Sequence, residues 1–284
     1  MRWRTTFLAM ILTALPLSAA ELRSPARVEA GSDFAISSSG SGKADFYLLG
    51  PAGVLKQQVE LGGEIAVSGE SIEDAGLYTA LACISGQCTS SHFHVVPAGG
   101  LRRLSLIVHP SRVPVSETNA ISAVAFVFDK FHNFVLAPQT ITFQVTPKEG
   151  QAITQDRPTE NGIAWIRMTS ARQEGPAKIG ASLGQASEVR VVQQVASDAC
   201  NLRIRANWQN RQLWVETDPV RDCSGNAVPD GTVVSFTKKD AAGTTTVDAP
   251  IKRGIAKVQM PVTGAARITV ASGVATGNEL SVGR

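Results

Sequence analysis

The sequence predicts an all-β chain: a tandem array of three small β-sandwiches behind an export signal. Three observations carry this. A block of sequence recurs at a displacement of about 90 residues, short stretches of alternating polarity fill the chain, and no helical period of any length appears. The 284 residues suit two or three domains, and 43% hydrophobic against 18% charged residues supplies ordinary cores rather than a disordered tail.

The first element is the amino terminus. Arg2 and Arg4 precede an apolar run, Phe7 to Leu17, and small residues Ser18, Ala19 and Ala20 follow. This is the layout of a secretory signal cut after Ala20. Pro16 interrupts the run, which is short for a bilayer span, so the expectation is export with release rather than a retained anchor. No later stretch is long and apolar enough to be a transmembrane helix. Beyond residue 20 the balance is 25 basic against 24 acidic residues, a charge of +1 that does not mark a nucleic-acid binder.

The four cysteines fit an oxidising compartment. They fall in two local pairs, Cys83/Cys88 and Cys200/Cys223. Of three connectivities, the clustering favours the local one, with Ser85-Gly86 as the turn of the first clamped hairpin. Neither pair has the further ligands a zinc site needs, so structural disulfides are expected and no metal.

Domain organisation follows from the repeat. Asp129, Asn133, Val135 and Phe143 recur as Asp222, Asn226, Val228 and Phe236, each displaced by 93. Gly162-Ile163-Ala164 with Met168 recurs as Gly254-Ile255-Ala256 with Met260, displaced by 92. A unit of that size holding several short strands is the size of one immunoglobulin-like sandwich. Boundaries are placed at 21–97, 101–195 and 198–284, with Pro97-Ala98-Gly99-Gly100 as the first linker. The first unit differs from the other two. Strands are expected at 33–37, 44–49, 54–61, 65–68, 78–83 and 88–96. Asp74-Ala75-Gly76-Leu77-Tyr78 resembles the corner at which a Tyr hydroxyl bonds back to the chain in immunoglobulin domains, without their inter-sheet Cys pair. In the second unit, Ala123–Phe128 reads as a buried strand and Thr140–Val145 as a half-exposed one.

On these residues, the Asp-x-x-x-Asn-x-Val turn, the strand ending in Phe and the Gly-Ile-Ala strand, the chain from 101 to 284 resembles the bacterial immunoglobulin-like domains of the intimin and invasin adhesins. The resemblance implies the fold and extracellular modules that space or present a binding tip without catalysis. Those adhesins carry an outer-membrane barrel and a lectin-like cap, which do not appear here, so anchoring and receptor binding do not carry over.

Chemistry is sparse. His92 and His94 alternate with Phe93 and Val95 and are expected outward and solvated. Ser39-Gly40-Ser41-Gly42-Lys43 lacks the spacing of a phosphate loop. Asp129/Asn133 and Asp222/Asn226 each offer one carboxylate, too few for calcium, and read as turns capped by their own side chains. No catalytic residue and no cofactor is identified, so an enzyme is not expected. The binding candidate is Trp208 in a polar hairpin of the third unit with Arg203 and Arg205 nearby, the residue types of interface hot spots; a Trp folded over the end of its own sandwich is the commoner meaning.

The functional expectation is therefore a secreted or periplasmic, non-catalytic binding or spacer protein at the cell envelope. It would offer loops or sheet edges to a protein or glycan partner. Two alternatives stand beside it: a subunit of an envelope or filament assembly, and a glycan-binding accessory module of an enzyme system. Unit charges of −5, +3 and +3 allow head-to-tail contact between molecules, although scattered surface charge is the commoner meaning.

Overall fold

The computed structural model describes residues 20–100 and 102–283. The expected export signal, up to Ala19, lies outside the described residues. Among the described residues there is no α-helix, one short 3₁₀ turn at Gly69–Ser71, and otherwise only β-strands as regular structure. No helix there is long and apolar enough to cross a membrane. The chain is a tandem array of immunoglobulin-like sandwiches, with three separate apolar cores.

By compactness the chain falls into two units. Among the described residues, one holds 20–100 together with Phe128–Asn133; the other holds Arg102–Val127 and 134–283.

The first sandwich has strands β1 (Leu22–Arg23), β2 (Arg27–Glu29), β3 (Phe34–Ser38), β4 (Gly42–Gly50), β5 (Gly53–Leu61), β6 (Glu64–Val67), β7 (Gly76–Ile84) and β8 (Gln87–Val96). They form a sheet β1-β3-β6 and a sheet β2-β8-β7-β4-β5, with β2 parallel to β8. The expected strands are all present, and two short ones, β1 and β2, add to them. Alternation explains the core: Ala44, Phe46 and Leu48 of β4 point inward, as do Tyr78, Ala80 and Ala82 of β7. Tyr78 is buried, stacks on Phe93 with centroids 5.5 Å apart, and hydrogen-bonds the backbone of Asp74. The expected corner is thus formed. Its ring leaves no room at Gly50, where a Cβ would lie 2.2 Å from Tyr78 Cε1.

The second sandwich has β9 (Arg103–His109), β10 (Arg112–Pro114), β11 (Ile121–Phe128), β12 (Thr140–Thr146), β13 (Ile153–Pro158), β14 (Ile163–Met168), β15 (Gly175–Leu183) and β16 (Ala186–Val195). Its sheets are β14-β11-β9 and β10-β16-β15-β12-β13, with β10 parallel to β16. This is the topology of the first sandwich strand for strand, so the first unit, divergent in sequence, shares the fold of the second. Sequence similarity was lost between them while the pairing was kept, because alternation and turns specify register without fixing identities.

The third sandwich has β17 (Ala199–Cys200), β18 (Ile204–Gln209), β19 (Gln212–Thr217), β20 (Arg221–Asp222), β21 (Val233–Asp240), β22 (Gly243–Pro250), β23 (Lys257–Met260), β24 (Ala266–Ser272), β25 (Ala275–Thr276) and β26 (Leu280–Val282). Sheet β18-β19-β23 faces sheet β22-β21-β24-β25, to which β26 adds through β24. Here β18 turns straight into β19 at Asn210-Arg211, both at positive φ, so the strand that runs parallel to the last strand in the other two sandwiches is missing.

Phe46, Phe143 and Phe236 are fully buried at one equivalent position, opposite Ala82, Ala181 and Val270. Both local disulfides form. Cys83 and Cys88 face each other across β7 and β8, with Ser85-Gly86 as the turn, and Cys200 joins Cys223.

Candidate functional site

The residues singled out from sequence separate on the structure. Trp208 is the next-to-last residue of β18, opposite Leu213 and on the side of the strand that carries buried Ile204. It sits beyond the end of the core and is 52% exposed. Arg205 projects from the other face, where its Nε donates to Glu216 Oε1 at 3.0 Å. Lys257 Nζ meets the other oxygen of Glu216 at 3.4 Å and lies over the ring of Trp214. The Arg205 hydrogen bond, against some cost of burial and with Lys257 adding to it, holds the Glu216 carboxyl below its usual range. Arg203 precedes β18, and its carbonyl accepts from Asp218 N. Alternation along β18 therefore keeps Trp208 and Arg205 from forming one surface.

Sequence reading passed over a more exposed tryptophan. Trp165 lies on β14 across from Val124 and is 62% exposed, while its neighbours Ala164, Ile166 and Met168 enter the core. It stands at the open side of the second sandwich, where β13 ends one sheet and β14 ends the other. A shallow depression of about 440 Å³ is lined there by Trp165, Arg157, Arg167, Pro158, Glu160 and Ile163. No strand pairs with the outer edge of β14 among the described residues; only the turn bridge from Glu160 to Ile163 lies there. An exposed indole in a depression also lined by two arginines, on a strand edge that no other strand pairs, can bury a partner's apolar side chain and bond its backbone.

His92 and His94 are exposed, as expected, and His92 Nδ1 lies 2.9 Å from Thr79 Oγ1. Among the described residues no group of three or more His, Cys, Asp or Glu converges, so no metal site is named.

The two Asp-x-x-x-Asn turns are the most heavily bonded polar features. Asp222 Oδ1 accepts from the backbone N–H of Ser224 and of Asn226, at 2.8 and 2.9 Å. Asp129 Oδ1 accepts from Phe131 and Asn133 in the same way, both at 2.9 Å. That is the self-capped turn expected from sequence. Both carboxylates are buried. Burial opposes their ionisation, but the bonds from the Asn side chain and the backbone amides outweigh it, and both carboxyls lie below the usual range.

The sign of the pH effect follows. A depressed carboxyl contributes stability that is complete above the unfolded value, about 4, and is lost as pH falls through the lower folded value. Denaturant midpoints should therefore drop on acidification below about pH 4, and Asp222→Asn should flatten that slope. An unchanged slope in the variant would remove Asp222 from the account.

No protein-family model matches this chain, and no curated protein matches it. Among solved structures it is similar to invasin, a bacterial integrin-binding protein, at 13% identity and a TM-score of 0.45, over 91% of this chain and 57% of that one. A three-domain stretch of titin is similar at 12% identity and a TM-score of 0.37, covering 93% of this chain and 97% of that one. Fibronectin-type domains of chicken contactin are similar at 9% identity and a TM-score of 0.37, covering 92% and 96%. The chain thus spans little more than half the length of the invasin structure it matches.

Proposed function

We propose that this is a non-catalytic, exported binding protein of the bacterial cell envelope, whose modules present the open side of the second sandwich to a protein partner. The observation that carries this reading is Trp165 at that side, in a depression also lined by Arg157 and Arg167. Two disulfides support export, since such bonds persist in oxidising compartments. Tryptophan and arginine are the residues that most often dominate binding energy, and a free strand edge adds backbone bonds to an extended segment. The glycan-binding alternative draws on the same indole, because a sugar ring stacks on it too.

The test is capture from envelope extract by the immobilised full chain, compared with Trp165→Ala and Trp208→Ala. Trp165→Ala should reduce capture of a protein partner by about tenfold or more, and Trp208→Ala should leave it nearly unchanged. Trp165 is largely exposed, so its loss should not move the melting temperature. Capture by Trp165→Ala at the wild-type level defeats the proposal, and a signal carried by polysaccharide rather than protein favours the glycan alternative.

A further inference from the structure

The turns do more bonding than a turn requires. One carboxylate oxygen of the Asp suffices to cap the loop amides, yet the second oxygen and the Asn amide, which bond each other within the turn, also reach partners outside it. In the second unit, Asn226 Nδ2 donates to the carbonyl of Arg172 at 2.8 Å, and its Oδ1 accepts from the N–H of Glu174 at 3.1 Å. Asp222 Oδ2 accepts from the N–H of Ser197 at 3.1 Å. Ser224, inside the turn, meets the hydroxyl of Ser116 at 2.7 Å. Arg172, Glu174 and Ser116 belong to the second sandwich, and the turn belongs to the third.

The first copy makes the same set inside the first unit. Asn133 Nδ2 donates to the carbonyl of Glu73 at 2.7 Å, and Oδ1 accepts from Ala75 N at 2.7 Å. Asp129 Oδ2 accepts from Ala98 N at 2.8 Å. Phe131, at the place of Ser224, packs over Gly31 and against the first core.

The receiving groups occupy identical places. Glu73 and Ala75 stand three and one residues before Gly76, the first residue of β7; Arg172 and Glu174 stand three and one before Gly175, the first residue of β15. Ala98 and Ser197 lie two residues beyond the ends of β8 and β16. Gly31 and Ser116 lie two beyond β2 and β10, each at positive φ. Three equivalent points would not recur at fixed offsets if each turn merely capped itself.

We infer that the Asp-x-x-x-Asn turn is a docking element, and that its partner is this constellation of backbone groups at the end of a preceding sandwich. The side chains read a carbonyl, an amide and a linker amide, all independent of local sequence, which explains how one motif engages two receiving ends that share little sequence. The amide of Asn matches them because it donates and accepts at once.

The third sandwich supplies a contrast. Counting back six residues from Ala82, Ala181 and Val270 gives Gly76, Gly175 and Gly264, so its corner amide is that of Thr263. That amide is already bonded to Asp240, whose own side chain is buried against Lys238 at 2.7 Å. The equivalent residues are Gly50 and Pro147 in the other sandwiches. Head-to-tail contact between molecules through this surface would first have to displace Asp240.

The inference does not depend on Trp165. Its test uses the full chain with spin labels at Thr154→Cys on β13 and Thr245→Cys on β22, both exposed; no free cysteine competes among the described residues. Asn226→Ala should widen the measured inter-label distance distribution at least about twofold, since domains move relative to each other unless an interface holds them. Asn133→Ala, which acts in the first unit, should leave that distribution unchanged. An unchanged width in a folded Asn226→Ala protein overturns the inference, because a purely self-capping turn predicts that result. If the alanine variant loses the third sandwich, Asn226→Ser replaces it; unfolding in both variants also overturns the inference, by making Asn226 a folding residue.

Discussion

Replacing Asp222 with Ala should destabilise the third sandwich by about 3 kcal/mol, because several donors lose one buried acceptor. The backbone N–H groups of Ser197, Ser224 and Asn226 and the side-chain amide of Asn226 all bond this carboxylate. Asp222 is only 4% exposed, so water reaches those groups poorly after the change. Each unsatisfied buried group costs roughly 1–3 kcal/mol, and partial relaxation keeps the sum below full additivity. Hydrogen exchange of the β21 and β24 amides reads this directly, since Phe236 and Ile268 sit in the core ladder. A loss under about 1 kcal/mol would mean the turn is held by its other contacts.

The second large effect is removal of the Cys200–Cys223 bridge. Its ends are 23 residues apart, and the chain-entropy model assigns such a loop about 3 kcal/mol. Cys223 lies between Asp222 and Asn226, so the bridge ties the docking turn to the strand that follows the linker. The Cys200→Ser/Cys223→Ser double variant should therefore lose stability and should also broaden the position of the turn. The Cys83–Cys88 bridge closes a separation of 5, for which the same model gives about 2 kcal/mol. Its two residues are already paired in the β7–β8 ladder, so its removal should cost less than that. Denaturant titrations of the two double variants rank them. The reverse order would show that native contacts around each bridge, rather than loop entropy in the unfolded chain, set the effect.

Much of the fold was legible because its signals are local. Alternation marked β12, an apolar run marked β11, Ser85-Gly86 marked a hairpin, and Tyr78 marked its corner. Phe143 and Phe236 named a core position at one displacement. The equivalence of the first sandwich with the second was hidden, since it resides in pairing order rather than in residue identity. The reach of Asn133 and Asn226 was hidden for a related reason: their partners lie 60 and 54 residues earlier, and no period links them. Trp165 did leave a signal. The repeat sets Lys257 opposite it, and a lysine at that place in a strand whose neighbours are Ala and Met marks the position as outward-facing. Trp208 and Arg205 looked like one site because they are three residues apart, but an odd spacing on a strand sends side chains to opposite faces.

Phe131 and Cys223 give the two docking turns different vulnerabilities. A thiol reductant cuts a bridge inside the turn at Asp222, whereas at the Asp129 turn it reaches only the Cys83–Cys88 hairpin of the receiving sandwich; cooling, which weakens apolar association, acts on the ring of Phe131 and spares the sulfur bond. The covalent tie in one copy and the aromatic contact in the other thus give two copies of one part different chemical sensitivities.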